Sequence, residues 1–93
     1  MSQMNLAVFM LRGEAGFKKD ERKAYLLLRK AAKDPRSTLG GHCSFWLGQC
    51  LLNGWGTFRD PAKALPLFEA ARAQGLSRVD DSLLKSVRFA TAL

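Results

Sequence analysis

Apolar residues recur at helical spacing in a stretch that begins with two glycines, Gly54 and Gly56. Glycine adopts positive φ without a Cβ penalty, so the chain can reverse direction there. Asp60 is suited to cap a helix, and Pro61 then falls at the first helical position, where its missing N–H is not needed. The apolar stripe that follows consists of Ala64, Leu67, Phe68 and Ala71. The pattern predicts an amphipathic helix, which Pro66 should kink because it removes a backbone hydrogen bond.

The same arrangement occurs forty residues earlier in the chain. The identical pairs at this offset are Leu11 and Leu51, Gly16 and Gly56, Asp20 and Asp60, Lys23 and Lys63, Ala24 and Ala64, Leu27 and Leu67, Ala31 and Ala71, and Ser37 and Ser77. The matches fall on a turn glycine, a cap and small or apolar positions. The alternative to an internal repeat is that the two stretches are unrelated amphipathic helices with ordinary caps. A period of this length is typical of stacked helical repeats.

The rest of the chain completes a prediction of five helices. We expect the first over residues 3–12, the second from the Asp20 cap to about residue 33, and the third after a cap at Ser37. The fourth is the helix that starts at Pro61. The last should open with the capping box of residues 77–80, which places Leu83, Val87 and Ala90 inward. The fold class is therefore all-α, with two helix-turn-helix units over about residues 3–36 and 37–76 and a capping helix over about 77–91, in one domain.

These residues resemble the Sel1-like repeat family, whose members are related to the tetratricopeptide repeats. The second unit matches the family pattern at Leu47, Gly48, Gly54, Gly56, Asp60, Lys63, Ala64, Phe68, Ala71 and Gly75, and the first at Gly16, Asp20, Lys23, Ala24, Lys30, Ala31 and Ala32. In the first unit, Glu14 takes the place of the earlier glycine. The resemblance implies an α/α solenoid that, like most members of the family, acts as a scaffold for protein contacts, and no position here matches a catalytic residue of the family.

Composition narrows the function classes. The chain of 93 residues has no apolar run long enough to span a membrane. Cys43 and Cys50 lie about 10.5 Å apart along a helix, too far for a mutual disulfide, so we expect buried thiols and a cytoplasmic protein. With one histidine, His42, the chain offers too few ligands for a metal site. We predict no cofactor and no enzyme activity, since no recognisable nucleophile and base pair is present.

Large aromatic side chains are the first candidates for partner binding. Trp55 and Phe58 occupy positions that the family leaves variable, and Arg59 follows them. Phe45 and Trp46 lie beside the inward stripe of the third helix, where one of them could face a ligand groove. The alternatives are that Trp55 and Phe58 fold back over a neighbouring helix end and that Trp46 packs in the core.

Positive charge is the second signal. The net charge is +7, and residues 1–36 hold nine basic and four acidic residues. The basic residues on the outer side of the second helix are Lys19, Arg22, Lys23, Arg29, Lys30 and Lys33. Such a field attracts acidic proteins, nucleic acid or an anionic membrane surface, and the alternative is a solvated face that maintains solubility.

Two functions remain open from the sequence. The favoured one is a non-catalytic adaptor that binds another protein, and its partner could be acidic. The alternative is a small basic module that binds nucleic acid, which is less well supported because the basic residues of the second helix are not interleaved with a series of aromatic ones. The exposed end of a two-unit array also favours a homodimer, which is compatible with either function.

Overall fold

The fold is described from a computed structural model, which describes residues 3–33 and 41–92. These residues form five helices: α1 (Gln3–Arg12), α2 (Glu21–Ala31), α3 (His42–Asn53), α4 (Pro61–Ala73) and α5 (Asp81–Ala92). No β-strand occurs in these two ranges. Helices α1 and α2 pack as one hairpin, here called unit 1, and α3 and α4 pack as a second, unit 2. Helix α2 packs on α3, and α5 packs on α4, so the all-α repeat architecture is confirmed.

The two units share their cap geometry. Asp20 and Asp60 have nearly the same backbone angles, with φ of −147° and −144°. Each carboxylate accepts a hydrogen bond from the backbone N–H three residues later, at 3.0 Å from Lys23 and 3.2 Å from Lys63. Each cap thereby satisfies one of the N–H groups that the first turn of a helix leaves unpaired.

The buried positions of α2 and α4 coincide at an offset of forty residues. Ala24 and Ala64 are both fully buried. The next buried positions also correspond, Leu28 with Phe68 and Ala31 with Ala71. Small residues at the first and last of these positions let the neighbouring helices approach closely. The two hairpins are therefore packed through equivalent residues, and these six buried residues are here called the buried frame.

The turns of the two units correspond at a different offset, and this corrects two sequence-based pairings. The Asp20 N–H donates to the Met10 carbonyl at 2.9 Å, whereas the Asp60 N–H donates to that of Leu51 at 2.7 Å. Met10, not Leu11, is therefore the counterpart of Leu51. Gly13 and Gly54 end α1 and α3 with φ of 68° and 75°, so Gly13, not Glu14, takes the place of the earlier glycine.

One extra residue in the first turn accounts for the change of offset. Gly16 and Gly56 have similar backbone geometry, with φ of 80° and 72°. Between Gly13 and Gly16 lie two residues, Glu14 and Ala15, where unit 2 has Trp55 alone. Among the described residues, Ala15 is the non-glycine residue with a positive φ, at 55°. The insertion is absorbed by this left-handed residue, so both turns lead into the same cap.

Helix α3 separates two apolar clusters. Its buried residues Cys43, Leu47 and Cys50 join the core of unit 1, while Phe45 and Leu51 join the core formed by α4 and α5. The Cys43 thiol donates to the Leu28 carbonyl of α2 at 3.5 Å. Burial on two sides explains why α3 is apolar around most of its circumference. The two cysteines are free and buried, as predicted.

Other helix boundaries differ from the sequence-based expectations. Helix α5 begins at Asp81, and Asp80 caps it by accepting from the Leu83 N–H at 2.9 Å, so the Ser77 cap is wrong. The side chains that α5 buries are Leu84 and Val87, with Leu83 half-buried. Helix α4 continues through Pro66, which is exposed. The predicted cap at Ser37 lies outside the described residues.

Candidate functional site

A groove lies between α1, α3 and the turn before α5. Its volume is about 360 Å³, and it is lined by Met4, Asn5, Val8, Phe9, His42, Trp46 and Arg78. Most of the lining side chains are apolar, and none carries a carboxylate. Met4, Val8 and Phe9 are half-buried, so part of each side chain faces the groove.

Arginine side chains rest on aromatic rings around this groove. The Arg12 guanidinium carbon lies 5.0 Å from the centre of the Trp46 ring. Arg78 lies over the Phe45 ring at 6.0 Å. Both arginines are exposed, so stacking positions their charges at the surface. The Glu14 carboxylate lies 3.9 Å from Arg12 and offsets part of its charge, whereas Arg78 forms no ion pair with a carboxylate in the described part of the chain. The groove therefore combines an apolar floor with a positive rim.

The structure separates the predicted aromatic residues into different environments. Trp46 is half-buried and lines the groove, as expected for a side chain beside the inward stripe. Phe45 is only 7% exposed, because its ring packs edge-on against Phe68 and Trp46. Phe45 therefore belongs to the core rather than to a binding surface, and its assignment as a contact residue needs correction.

The loop between α3 and α4 divides its side chains between core and solvent. Trp55 is half-buried and packs against the core of unit 1, which corresponds to the alternative of folding back. Arg59 is exposed but donates from Nε to the Leu52 carbonyl at 3.1 Å, which ties the loop to the end of α3. Phe58 is 93% exposed and does not fold back.

Phe58 lines a second depression of about 340 Å³ together with Arg22, Gly56 and Thr57. Gly56 fixes this arrangement, because its backbone lies directly on the first turn of α2. A Cβ atom at this position would overlap the Glu21 carbonyl and lie 2.7 Å from Arg22 Cα. The exposed Phe58 ring is thus held next to the N-terminal end of the basic helix.

The predicted basic face is exposed along its whole length. The exposed basic side chains are Lys19, Arg22, Lys23, Arg29, Lys30 and Lys33. None of them forms an ion pair with any carboxylate in the described part of the chain. By contrast, Arg72 and Arg88 pair with Asp81 at 2.6 Å and with Glu69 at 3.5 Å, across α4 and α5.

Burial makes both thiols poor nucleophiles. It raises the pKa of Cys43 to about 11. Burial, followed by the negative charge of Glu21, raises the pKa of Cys50 to about 12. A neutral thiol is neither a good nucleophile nor a good metal ligand. No group of three or more potential metal-binding side chains occurs in residues 3–33 and 41–92.

Comparison with models of known protein families identifies the family of this chain. The family model for the Sel1 repeat matches residues 1–34 and again residues 42–76. The chain belongs to the Sel1 repeat family. The two matches coincide with unit 1 and unit 2, so each hairpin is one Sel1 repeat. No curated protein and no solved structure matches the chain.

Membership of the Sel1 family assigns a general type of function. Sel1 repeats mediate contacts between proteins and are typically non-catalytic helical scaffolds. Among the described helices of this Sel1 protein, none is long and apolar enough to cross a membrane. Phe89 on α5 is 68% exposed. Self-association through the α5 end of the Sel1 stack stays a prediction, which light scattering after size exclusion would test.

Several groove residues were missed by reasoning from the sequence. Val8, Phe9, Arg12, His42 and Arg78 were not expected to share a surface. One signal was present: residues 6–11 are continuously apolar, although α1 needs only one apolar stripe to pack against α2. The surplus apolar residues on α1 are those that face the groove.

Proposed function

We propose that this protein is a non-catalytic adaptor that binds a segment of another protein in the groove between α1 and α3. The observation that carries the proposal is the combination of an apolar floor with the exposed Arg78 at its rim. A partner segment that fits this groove would contribute apolar side chains for the floor and a carboxylate for the Arg78 guanidinium group. Such a partner is acidic, and its aromatic or aliphatic side chains would anchor against Trp46.

The groove has the size of a peptide site rather than of a large protein interface. At about 360 Å³ it can accept a few side chains of an extended or helical segment. Charges at the rim chiefly affect the rate and specificity of association, whereas the apolar floor determines how long the complex lasts. We further propose a cytoplasmic location, which is supported by the two free thiols in the core.

Selection from a displayed peptide library on the immobilised protein tests this proposal. We expect the selected peptides to combine apolar and acidic residues. Arg78→Glu should then weaken binding of a selected peptide by tenfold or more, roughly the effect of reversing a charge that the ligand contacts. The matched control is Lys85→Glu, which makes the same charge change on the exposed surface of α5.

Titration calorimetry with one selected peptide gives the decisive comparison. Equal affinity for wild type, Arg78→Glu and Val8→Asp would place the binding site outside the groove and would contradict the proposal. Circular dichroism of each variant checks that the fold is retained. Selection of basic peptides would contradict the acidic nature of the partner. The groove variants would then still test whether those peptides bind in the groove.

A further inference from the structure

The outer faces of α2 and α4 provide an internal comparison. Their exposed positions correspond at the offset of forty residues. On α2 and just after its end these positions hold Arg22, Lys23, Leu26, Arg29, Lys30 and Lys33, and on α4 they hold Ala62, Lys63, Pro66, Glu69, Ala70 and Ala73. Helix α4 also exposes Arg72 on another side, where it pairs with Asp81 of α5 at 2.6 Å. The outer face of α2 carries a charge of +5, and that of α4 is neutral. Because both helices have the same buried frame, the frame does not require the positive charge.

The exposed side chains of α2 form a narrow and continuous surface. At 100° per residue, the five positions within α2 occupy an arc of about 120° and extend about 12 Å along the axis, and Lys33 follows just after the helix end. Leu26 lies near the middle of the arc and is 47% exposed. Phe58 stands at the N-terminal end of this surface, because it shares a depression with Arg22. Two exposed apolar side chains are therefore surrounded by cations.

This arrangement discriminates between anionic ligands. Leu26 and Phe58 offer no hydrogen bond to a phosphate. Tyr25 of α2 is half-buried and its ring lies 5.8 Å from the Arg29 guanidinium, so Phe58 is left as the one largely exposed ring among the described residues near this face and does not make a stacking platform for successive bases. A lipid bilayer presents anionic headgroups above an apolar interior, so it can contact the cations and the two apolar side chains at once. A convex helix face also meets a bilayer without needing a groove of its own.

We propose that the outer face of α2, together with Phe58, binds the surface of an anionic lipid bilayer. The apolar face of α2 is buried in the core, so the helix itself stays packed and does not insert. Contact is made by the cations at the headgroups, with Leu26 and Phe58 reaching below them. This surface shares no residue with the groove between α1 and α3, so the protein can hold a peptide partner while attached to a membrane.

Vesicle sedimentation tests the electrostatic part. Purified wild-type protein is mixed with phosphatidylcholine vesicles that either contain or lack phosphatidylserine, at low and at physiological salt. We expect binding to the anionic vesicles alone, and weaker binding at the higher salt. Removing Arg22 and Lys30 as Arg22→Ala/Lys30→Ala should lower the partition coefficient about 25-fold, since each cation near such a surface contributes about fivefold.

The chain supplies a matched control for this variant. Both substitutions introduce the residue that α4 already carries at the corresponding position, so the helix frame accepts them. Lys63→Ala/Lys85→Ala removes the same number of charges from other exposed positions and should leave vesicle binding within about twofold, as expected for cations that do not contact the surface. Equal loss in both double variants would show an effect of net charge alone and would overturn the proposal.

The apolar part has its own test. Phe58→Ser and Leu26→Gln keep the charge, so each should weaken vesicle binding several-fold while its salt dependence stays the same. Labelled duplex DNA and RNA serve as the competing polyanions. Absence of binding to the anionic vesicles would overturn the proposal. So would nucleic-acid binding that is lost in Arg22→Ala/Lys30→Ala but unchanged in Phe58→Ser. Neither result affects peptide binding in the groove, which is measured separately.

Discussion

Helices α2 and α4 occupy equivalent places in the fold but present different surfaces to solvent. Ala24 and Ala64 are both fully buried, and the Asp20 and Asp60 caps are nearly superimposable in backbone angles. At the six corresponding exposed positions, those of α2 and the turn after it are strongly basic, whereas those of α4 are neutral in sum. The comparison teaches that the buried residues specify the repeat, while the exposed residues are free to determine what it binds.

The turns before these helices differ in a similar way. Both turns contain a left-handed glycine at the position of Gly16 and Gly56. A Cβ atom at Gly16 would meet nothing within 4 Å, whereas one at Gly56 would overlap the backbone of Glu21. Gly56 is therefore required twice, for its φ and for the close contact between units, but Gly16 is required only for its φ.

The largest predicted effect follows from these two glycines. Gly56→Ala should lower the free energy of unfolding by about 3 kcal/mol, because left-handed strain adds to a backbone overlap. Gly16→Ala should lower it by about 1–2 kcal/mol, from left-handed strain alone. Urea unfolding followed by circular dichroism measures both values. Equal losses would mean that the turn of unit 2 does not pack on α2 as described.

The second prediction concerns the packing inside each unit. Ala7 and Leu28 of unit 1 correspond to Gly48 and Phe68 of unit 2, and a Cβ at Gly48 would lie 3.1 Å from the Phe68 ring. Gly48→Ala alone should destabilise the protein by about 1 kcal/mol, since crowding outweighs the gain in helix propensity. In the Phe68→Leu background the same change should be neutral or stabilising by up to about 1 kcal/mol.

A double-mutant cycle checks this prediction. The coupling between the two positions should be favourable by about 1–2 kcal/mol, as expected for side chains in direct contact. Additive effects would contradict the correspondence between the pair of unit 1 and the pair of unit 2.

The third prediction compares the two caps. Asp20→Ala and Asp60→Ala should each lower the free energy of unfolding by about 1 kcal/mol, since each removes one hydrogen bond to a helix N-terminus. Denaturant titrations of the two variants side by side provide the measurement. A loss at one cap that is several times larger than at the other would show that the units are not equivalent.

The smallest predicted effect is a pH dependence from the buried thiols. An unfolded cysteine has a pKa of about 8.5, and burial raises that of Cys50 to about 12. Folding favours the neutral thiol. The resulting contribution to the free energy of unfolding is fully present below about pH 8.5 and is lost as the pH rises toward the folded pKa. Cys50→Ala should therefore show a shallower loss of stability between these limits than wild type in urea titrations. Parallel curves would contradict burial of this thiol.

The sequence allowed most of the fold to be predicted, because caps and buried stripes are local signals. The start of α4 was predicted from Asp60 and Pro61, and the side that it buries was predicted from its alanines. The correspondence between residues of α1 and residues of α3 was predicted wrongly, because a one-residue insertion at Ala15 shifts the offset between the units from forty to forty-one. Such an insertion leaves no trace in a fixed-offset comparison, although the backbone hydrogen bonds reveal it at once.

The candidate site was less predictable, since it depends on which exposed side chains meet in space. Trp46 was a candidate contact residue because of its place beside the inward stripe of α3, with packing in the core as the alternative. Phe45 lies next to it in sequence, but the packing of its ring on Phe68 was not visible before α4 was in place. Arg78 reaches the groove from a turn that is distant in sequence. The exposure of the basic face, by contrast, followed from helical spacing alone.

The central claim is that the outer face of α2 is not part of the frame that folds the protein. The most direct test gives α2 the residues of α4 at four exposed positions, as Arg22→Ala/Arg29→Glu/Lys30→Ala/Lys33→Ala, and measures the free energy of unfolding by urea titration. We expect a value within about 1 kcal/mol of wild type, because all four positions are exposed and the stacking of Arg29 on the Tyr25 ring, at 5.8 Å, is an exposed contact. A loss of more than about 3 kcal/mol would show that these cations stabilise the fold, and would contradict the account.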